Sequence, residues 1–158
     1  MFGFFKARKA ISDARNVVGT ELHRQLAEAL EQNESLATQK LSTAFTPGYI
    51  YWFVRLGFSV QGVDGGKIVD DQLRQVCDGV LPGKLYKIFE SQLAALQVAK
   101  SMSNQAAPIP GTKVSPKQLV ELFELGTLAA VHDARVLSSR PSNFKKYLLG
   151  QQVHAPDV

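Results

Sequence analysis

His132 and Asp133 stand next to each other and carry the side chains of a base and its orienting carboxylate. In a hydrolytic triad the carboxylate fixes the imidazole tautomer, and the imidazole takes the nucleophile's proton. Neighbours in a helix point about 100° apart, so this pair is not expected to meet. A second grouping, Glu121, Glu124 and His132, shares one face of an expected helix over 116–138. Two carboxylates and an imidazole suit a metal ion. Lys117 and Arg135 lie on the same face, however, which favours an ordinary solvated surface of paired charges. Glu-x-x-His, the ligand pattern of di-iron bundles, does not occur. His23 and His154 are scattered.

The single cysteine, Cys77, sits one helical turn from Leu73 and from Val80. A thiol on an apolar face is packing rather than nucleophile. With one cysteine no intrachain disulfide can form, which fits a reducing, cytoplasmic setting of a bacterial kind. "VDGGK" and "LPGK" each end in Gly-Lys ahead of a helix, where backbone N–H groups could face an anion. Neither has phosphate-loop spacing nor follows a convincing strand, so both read as turns. No catalytic set, metal site or cofactor site is expected, and an enzyme is the least favoured class.

Two surface features carry more. Arg135, Arg140, Lys145 and Lys146 have no acidic residue among them and are interleaved with Phe144 and Tyr147. Such a segment could meet phosphates or anionic lipid, although basic residues also suit helix C-termini. Phe2, Phe4 and Phe5 stand beside Lys6, Arg8 and Lys9, a mixture that fits a membrane interface or a contact with another subunit. The net charge is +4, but it is spread thinly: six basic and five acidic residues in 1–45, six and five in 46–112, six and four in 113–158. A nucleic-acid binder concentrates its excess on one face, so nucleic acid is a disfavoured partner. A ligand pocket near Tyr51 and Trp52 is a further candidate.

The elements that must position these residues follow a helical period. Phe4, Ala7, Ile11, Ala14, Val18, Leu22, Leu26 and Leu30 recur at spacings of three and four, and the stripe resumes at Ala37, Leu41 and Ala44. This predicts one long kinked helix or a helix pair over 1–44, with Gly19–Thr20 or Asn33–Ser35 as the break. A stripe this long and narrow is what pairing between chains uses, so a homodimer or another homo-oligomer is expected. Thr46–Pro47 has the form of an N-cap and first-turn proline for the next helix. That segment, "TPGYIYWFVRLGFSVQG", holds five of the fourteen aromatics. Its alternation from Val54 onward competes as a strand signal, yet no partner strand of similar quality exists. Further helices are expected over 66–79, 83–103 and 116–138, with Ser115 capping the last of these and Ser142 capping a short helix to Leu149.

The sum is an all-α fold: an irregular bundle of five to seven helices around a central apolar helix over about 47–61, in a single domain over 1–150 with a flexible tail over 151–158. Small residues on the 116–138 helix (Gly126, Ala129, Ala130, Ala134) and Gly48 on the central helix predict close approach of the two, with Arg55 and Asp133 as a buried ion pair. The functional expectation is a non-enzymatic module for protein–protein interaction or oligomerisation. Its alternatives are a peripheral lipid-binding protein using the Phe-rich N-terminus and a small-ligand or nucleic-acid binder using 135–147.

Overall fold

A computed structural model of the chain describes residues 2–63, 69–80, 85–102, 108 and 113–154. Among the described residues there are six α-helices, one 3₁₀ turn and no strand. The helices are α1 (Phe2–Leu41), α2 (Phe45–Val60), α3 (Val69–Val80), α4 (Leu85–Ser101), α5 (Pro116–Arg135) and α6 (Asn143–Leu148). The all-α bundle expected from periodicity is the observed fold.

The long stripe becomes α1, and its break falls at Asn33, where the backbone leaves helical geometry. The Asn33 carboxamide oxygen accepts the Leu36 N–H at 3.1 Å and so caps the last turns. Gly19 and Thr20, the other expected break, remain helical. The stripe is consumed inside the chain: Ala14, Val18, Leu22, Leu26, Ala29, Ala37 and Leu41 are all buried. The argument for pairing between copies through this face therefore falls away.

Helix α2 is central, with ten of its sixteen residues buried. It starts two residues earlier than expected, with Ala44 rather than Thr46 at the N-cap and no side-chain cap. Thr46 lies inside the first turn, and its buried hydroxyl has no hydrogen-bond partner among the described residues. Pro47 sits in that turn, where a missing N–H costs nothing. The competing strand signal loses at the C-terminus. Gly62, at φ +81, donates to the Ser59 carbonyl at 3.0 Å, and Val63 donates to the Phe58 carbonyl at 3.0 Å. These two bonds are a Schellman stop, which only a helix can use.

Helix α5 begins as its sequence specifies. Ser115 accepts the Gln118 N–H at 3.2 Å, and the Gln118 side chain accepts the Ser115 N–H at 3.0 Å, a reciprocal capping box ahead of Pro116. The helix ends at Arg135 rather than 138; a 3₁₀ turn over Leu137–Ser139 and Arg140 at φ 59 redirect the chain into α6.

The closest packing is α2 on α5. A Cβ at Gly48 would lie 2.3 Å from the Phe123 carbonyl oxygen, and a Cβ at Gly126 would lie 2.3 Å from the Phe45 carbonyl oxygen. The two backbones therefore touch at a pair of glycines, as the small residues predict. A stack of aromatic rings continues the core: Tyr147 on Phe45 at 3.7 Å between centroids, Tyr49 on Phe53 at 5.3 Å, and Tyr49 on Phe144 at 4.9 Å.

Candidate functional site

Where α2 meets α5, the approach of the helices encloses one carboxylate. Asp133 is 1% exposed. Its Oδ2 accepts the Tyr49 hydroxyl at 2.6 Å and the Asn143 backbone N–H at 2.9 Å. Its Oδ1 lies 3.2 Å from His132 Nδ1. Tyr49 in turn accepts from the Gln25 amide at 3.1 Å, and the Gln25 carboxamide oxygen accepts the Lys145 N–H at 3.2 Å. Burial, reinforced by the Asp133 charge, holds the Tyr49 hydroxyl well above its ordinary range. The phenol thus stays protonated and serves as a donor. This polar network ties α1, α2, α5 and α6 together in the middle of an apolar core.

The expected Arg55–Asp133 pair does not form. Tyr49 answers Asp133 instead. Arg55 is half-buried at the rim, where its guanidinium lies 5.4 Å from the Trp52 ring and donates to the Tyr51 hydroxyl at 3.4 Å. Its long stem reaches water from a helix that is otherwise central. The expectation that His132 and Asp133 cannot meet is also corrected, since the side chains curl toward each other across the end of α5. Among the described residues no nucleophilic side chain is hydrogen-bonded to His132 to complete a triad, and no group of three or more His, Cys, Asp or Glu side chains could hold a metal. Cys77 is buried, and that burial, with the neighbouring Asp78 carboxylate, pushes its thiol up to about 12. It carries no thiolate near neutral pH.

The basic segment is partly answered from within. Glu28 on α1 accepts from Lys145 at 2.7 Å, Arg140 at 3.0 Å and Arg24 at 3.3 Å. Arg24 also pairs with Glu21 at 2.8 Å and donates to the Pro141 carbonyl oxygen. The bonds from Lys145 and Arg140 bring the Glu28 carboxyl from 4.5 down to about 2. Two of the four cations expected to face an anionic partner thus clamp α6 to α1, which leaves Arg135 exposed and Lys146 half-buried at the surface. Glu28 was not singled out from sequence, because Lys145 and Arg140 lie more than one hundred positions away and its local pairing with Arg24 is an ordinary one for a helix surface.

The tail expected to fray over 151–158 is described through His154, and it is held. The Asn143 side chain accepts the His154 N–H at 2.7 Å and donates to the His154 carbonyl, while Val153 packs against the core.

The N-terminal turns of α1 differ from everything else. Residues 3–10 are all exposed, with Phe4 at 59% and Phe5 at 63%. The Arg8 guanidinium covers the Phe4 ring at 4.4 Å, and Phe4 and Phe5 meet edge to face at 6.4 Å. The Phe2 side chain lies outside the described residues, as do "VDGGK" in large part and "LPGK". No helix is long and apolar enough to cross a membrane among the described residues. The expected pocket near Trp52 corresponds to an open groove of about 390 Å³ lined by Trp52, Lys100, Phe123, Glu124 and Leu128.

Compared with protein-family models, curated proteins and solved structures, the chain matches none of them.

Proposed function

We propose that the protein is a non-enzymatic interaction module that presents the N-terminal turns of α1 to an anionic bilayer surface. The observation that supports this is the exposure of Phe4 and Phe5 on turns that stand clear of the body. Lys6, Arg8 and Lys9 follow them, and no acidic residue occurs before Asp13. Aromatic rings enter the headgroup boundary while the cations meet lipid phosphates. Each such cation contributes about 1 kcal/mol near an anionic leaflet. The lone buried Cys77 suits a cytoplasmic setting, on the leaflet that carries that charge.

The test is co-sedimentation with vesicles of phosphatidylserine and phosphatidylcholine, compared with phosphatidylcholine alone. Binding is expected to the first and not the second. Replacing Lys6, Arg8 and Lys9 by glutamine removes about 3 kcal/mol of attraction, an affinity loss of roughly 100-fold. Equal sedimentation of the glutamine variant overturns the reading.

A second reading has its own observation. Phe4 continues the line of Ile11, Ala14 and Val18 beyond the point where the body stops covering it. A helix of another protein, or of a second copy, would extend the core over it. Two copies would bring three cations against three, which disfavours self-association through this end. A concentration-dependent mass in light scattering, without vesicle binding, would favour this reading over the first.

A further inference from the structure

The hydrogen bonds around Asp133 fix more than the fold. The Asn143 side-chain amide has two hydrogens, and two carbonyls receive them: Ala129 at 3.4 Å and His154. His132 Nδ1 lies 3.3 Å from the same amide nitrogen, so the Asn143 side chain touches both imidazole-bearing residues. His132 Nδ1 faces the Asp133 carboxylate at 3.2 Å, where a ring N–H would donate to it. Nε2 lies on the side of the ring away from that contact, and the His132 side chain is 39% exposed.

A second imidazole stands beside it. The His154 ring centroid is 6.0 Å from that of His132, with the planes 35° apart. Its backbone is clamped on both sides by the buried Asn143 amide, so its position is built rather than incidental. Two imidazoles sharing one tetrahedral ion at metal–nitrogen distances of about 2.0–2.1 Å place their centroids roughly 5 Å apart, a separation that a rotation of the exposed His154 ring would reach. A metal-bound histidine that passes its other N–H to a carboxylate is the usual outer-shell arrangement. Asp133 also gives the charge a reason. It is buried, its described partners are a phenol, a backbone N–H and an imidazole, and none of them is Lys or Arg.

We propose that His132 and His154 form a two-histidine site for a divalent transition metal of the zinc, copper or nickel class, with Asp133 positioning His132. Imidazole ligands suit these ions. The remaining coordination positions are open to water or to a donor from another molecule. The site is independent of the α1 docking end and stands or falls separately from it.

Zn²⁺ alone, titrated calorimetrically into the full chain near pH 7.5, is expected to bind at one ion per chain. Losing an outer-shell partner costs about 10–100-fold in affinity, and losing a ligand should cost no less. His132→Gln and His154→Gln are both at accessible positions, and each should weaken binding at least that much, whereas His23→Gln should leave it unchanged. Nitrogen-15 spectra of the metal-free protein should show His132 protonated at Nδ1, with Nε2 shifting when Zn²⁺ is added. No uptake, uptake indifferent to either histidine, uptake lost with His23→Gln, or His132 protonated at Nε2 would each overturn the proposal.

Discussion

Two stretches of this chain have nearly the same ingredients and opposite fates. "YIYWFVR" in α2 and "FGFFKARK" in α1 both mix aromatic rings with cations. In the first, Tyr49, Ile50 and Phe53 are fully buried and the single cation sits at the rim. In the second, every residue whose side chain is described is exposed. The difference lies in the neighbours. Helix α2 finds α5 at backbone contact, because Gly48 and Gly126 remove the side chains that would hold them apart. The N-terminal turns of α1 have no covering element among the described residues. Aromatic content alone therefore does not distinguish a core from a docking surface; the partner element decides.

The contrast is broken most severely at the glycines. Gly126→Ala would place a methyl group 2.3 Å from the Phe45 oxygen and 2.8 Å from the Tyr49 nitrogen. Neither backbone atom can yield without parting the helices, so a loss of about 3 kcal/mol or more is expected in urea unfolding. Gly79 on α3 is the opposite case, since a Cβ there meets nothing within 4 Å. Gly79→Ala should stabilise by up to about 1 kcal/mol through helix propensity. If both substitutions behave alike, the two glycines are not acting through close approach.

The next effect is at Tyr49→Phe, which removes a donor from a buried carboxylate and leaves the Gln25 amide unanswered. A loss of about 1–3 kcal/mol is expected. Phe5→Ser at the exposed end should change stability by no more than about 0.5 kcal/mol.

The smallest effect concerns Glu28 and depends on pH. Its folded carboxyl titrates at about 2 instead of 4.5. Between those values the unfolded chain takes up a proton that the folded chain refuses, so stability falls as pH falls from about 4.5 to about 2. Thermal melts of Glu28→Gln should show a shallower decline than wild type across that window. An unchanged slope would mean that Lys145 and Arg140 do not hold this carboxylate in solution.

Much of the fold is legible in local chemistry. Ser115, Pro116 and Gln118 spell a capping box within four residues, and the stripe of α1 follows from spacing alone. The glycine contact of α2 on α5 is readable from small residues on two helices. The answer to Asp133 is not, because Tyr49 counts as apolar when periodicity is scored and its hydroxyl matters only after folding. Charge counting favours Arg55, whose long side chain takes it to the rim instead. Gln25, set between Leu22 and Leu26 on the buried stripe, was a signal: a polar group there must find a partner. Asn143 and His154 gave no comparable signal, since their roles arise from a clasp between a short helix and the segment after it. Phe4 and Phe5 were legible as contact residues from the cations beside them, but that the neighbouring helices leave Phe4 uncovered, although it continues the core stripe, was not.

The central claim is that one end of α1 is open and docks, while the α2–α5 centre is closed. Amide hydrogen exchange with and without phosphatidylserine vesicles tests it directly. Residues 3–10 should exchange rapidly in the free protein and become protected with vesicles, while α2 and α5 stay protected and unchanged in both. Protection of 3–10 in the free protein, or vesicle-induced protection elsewhere with none at 3–10, would contradict it.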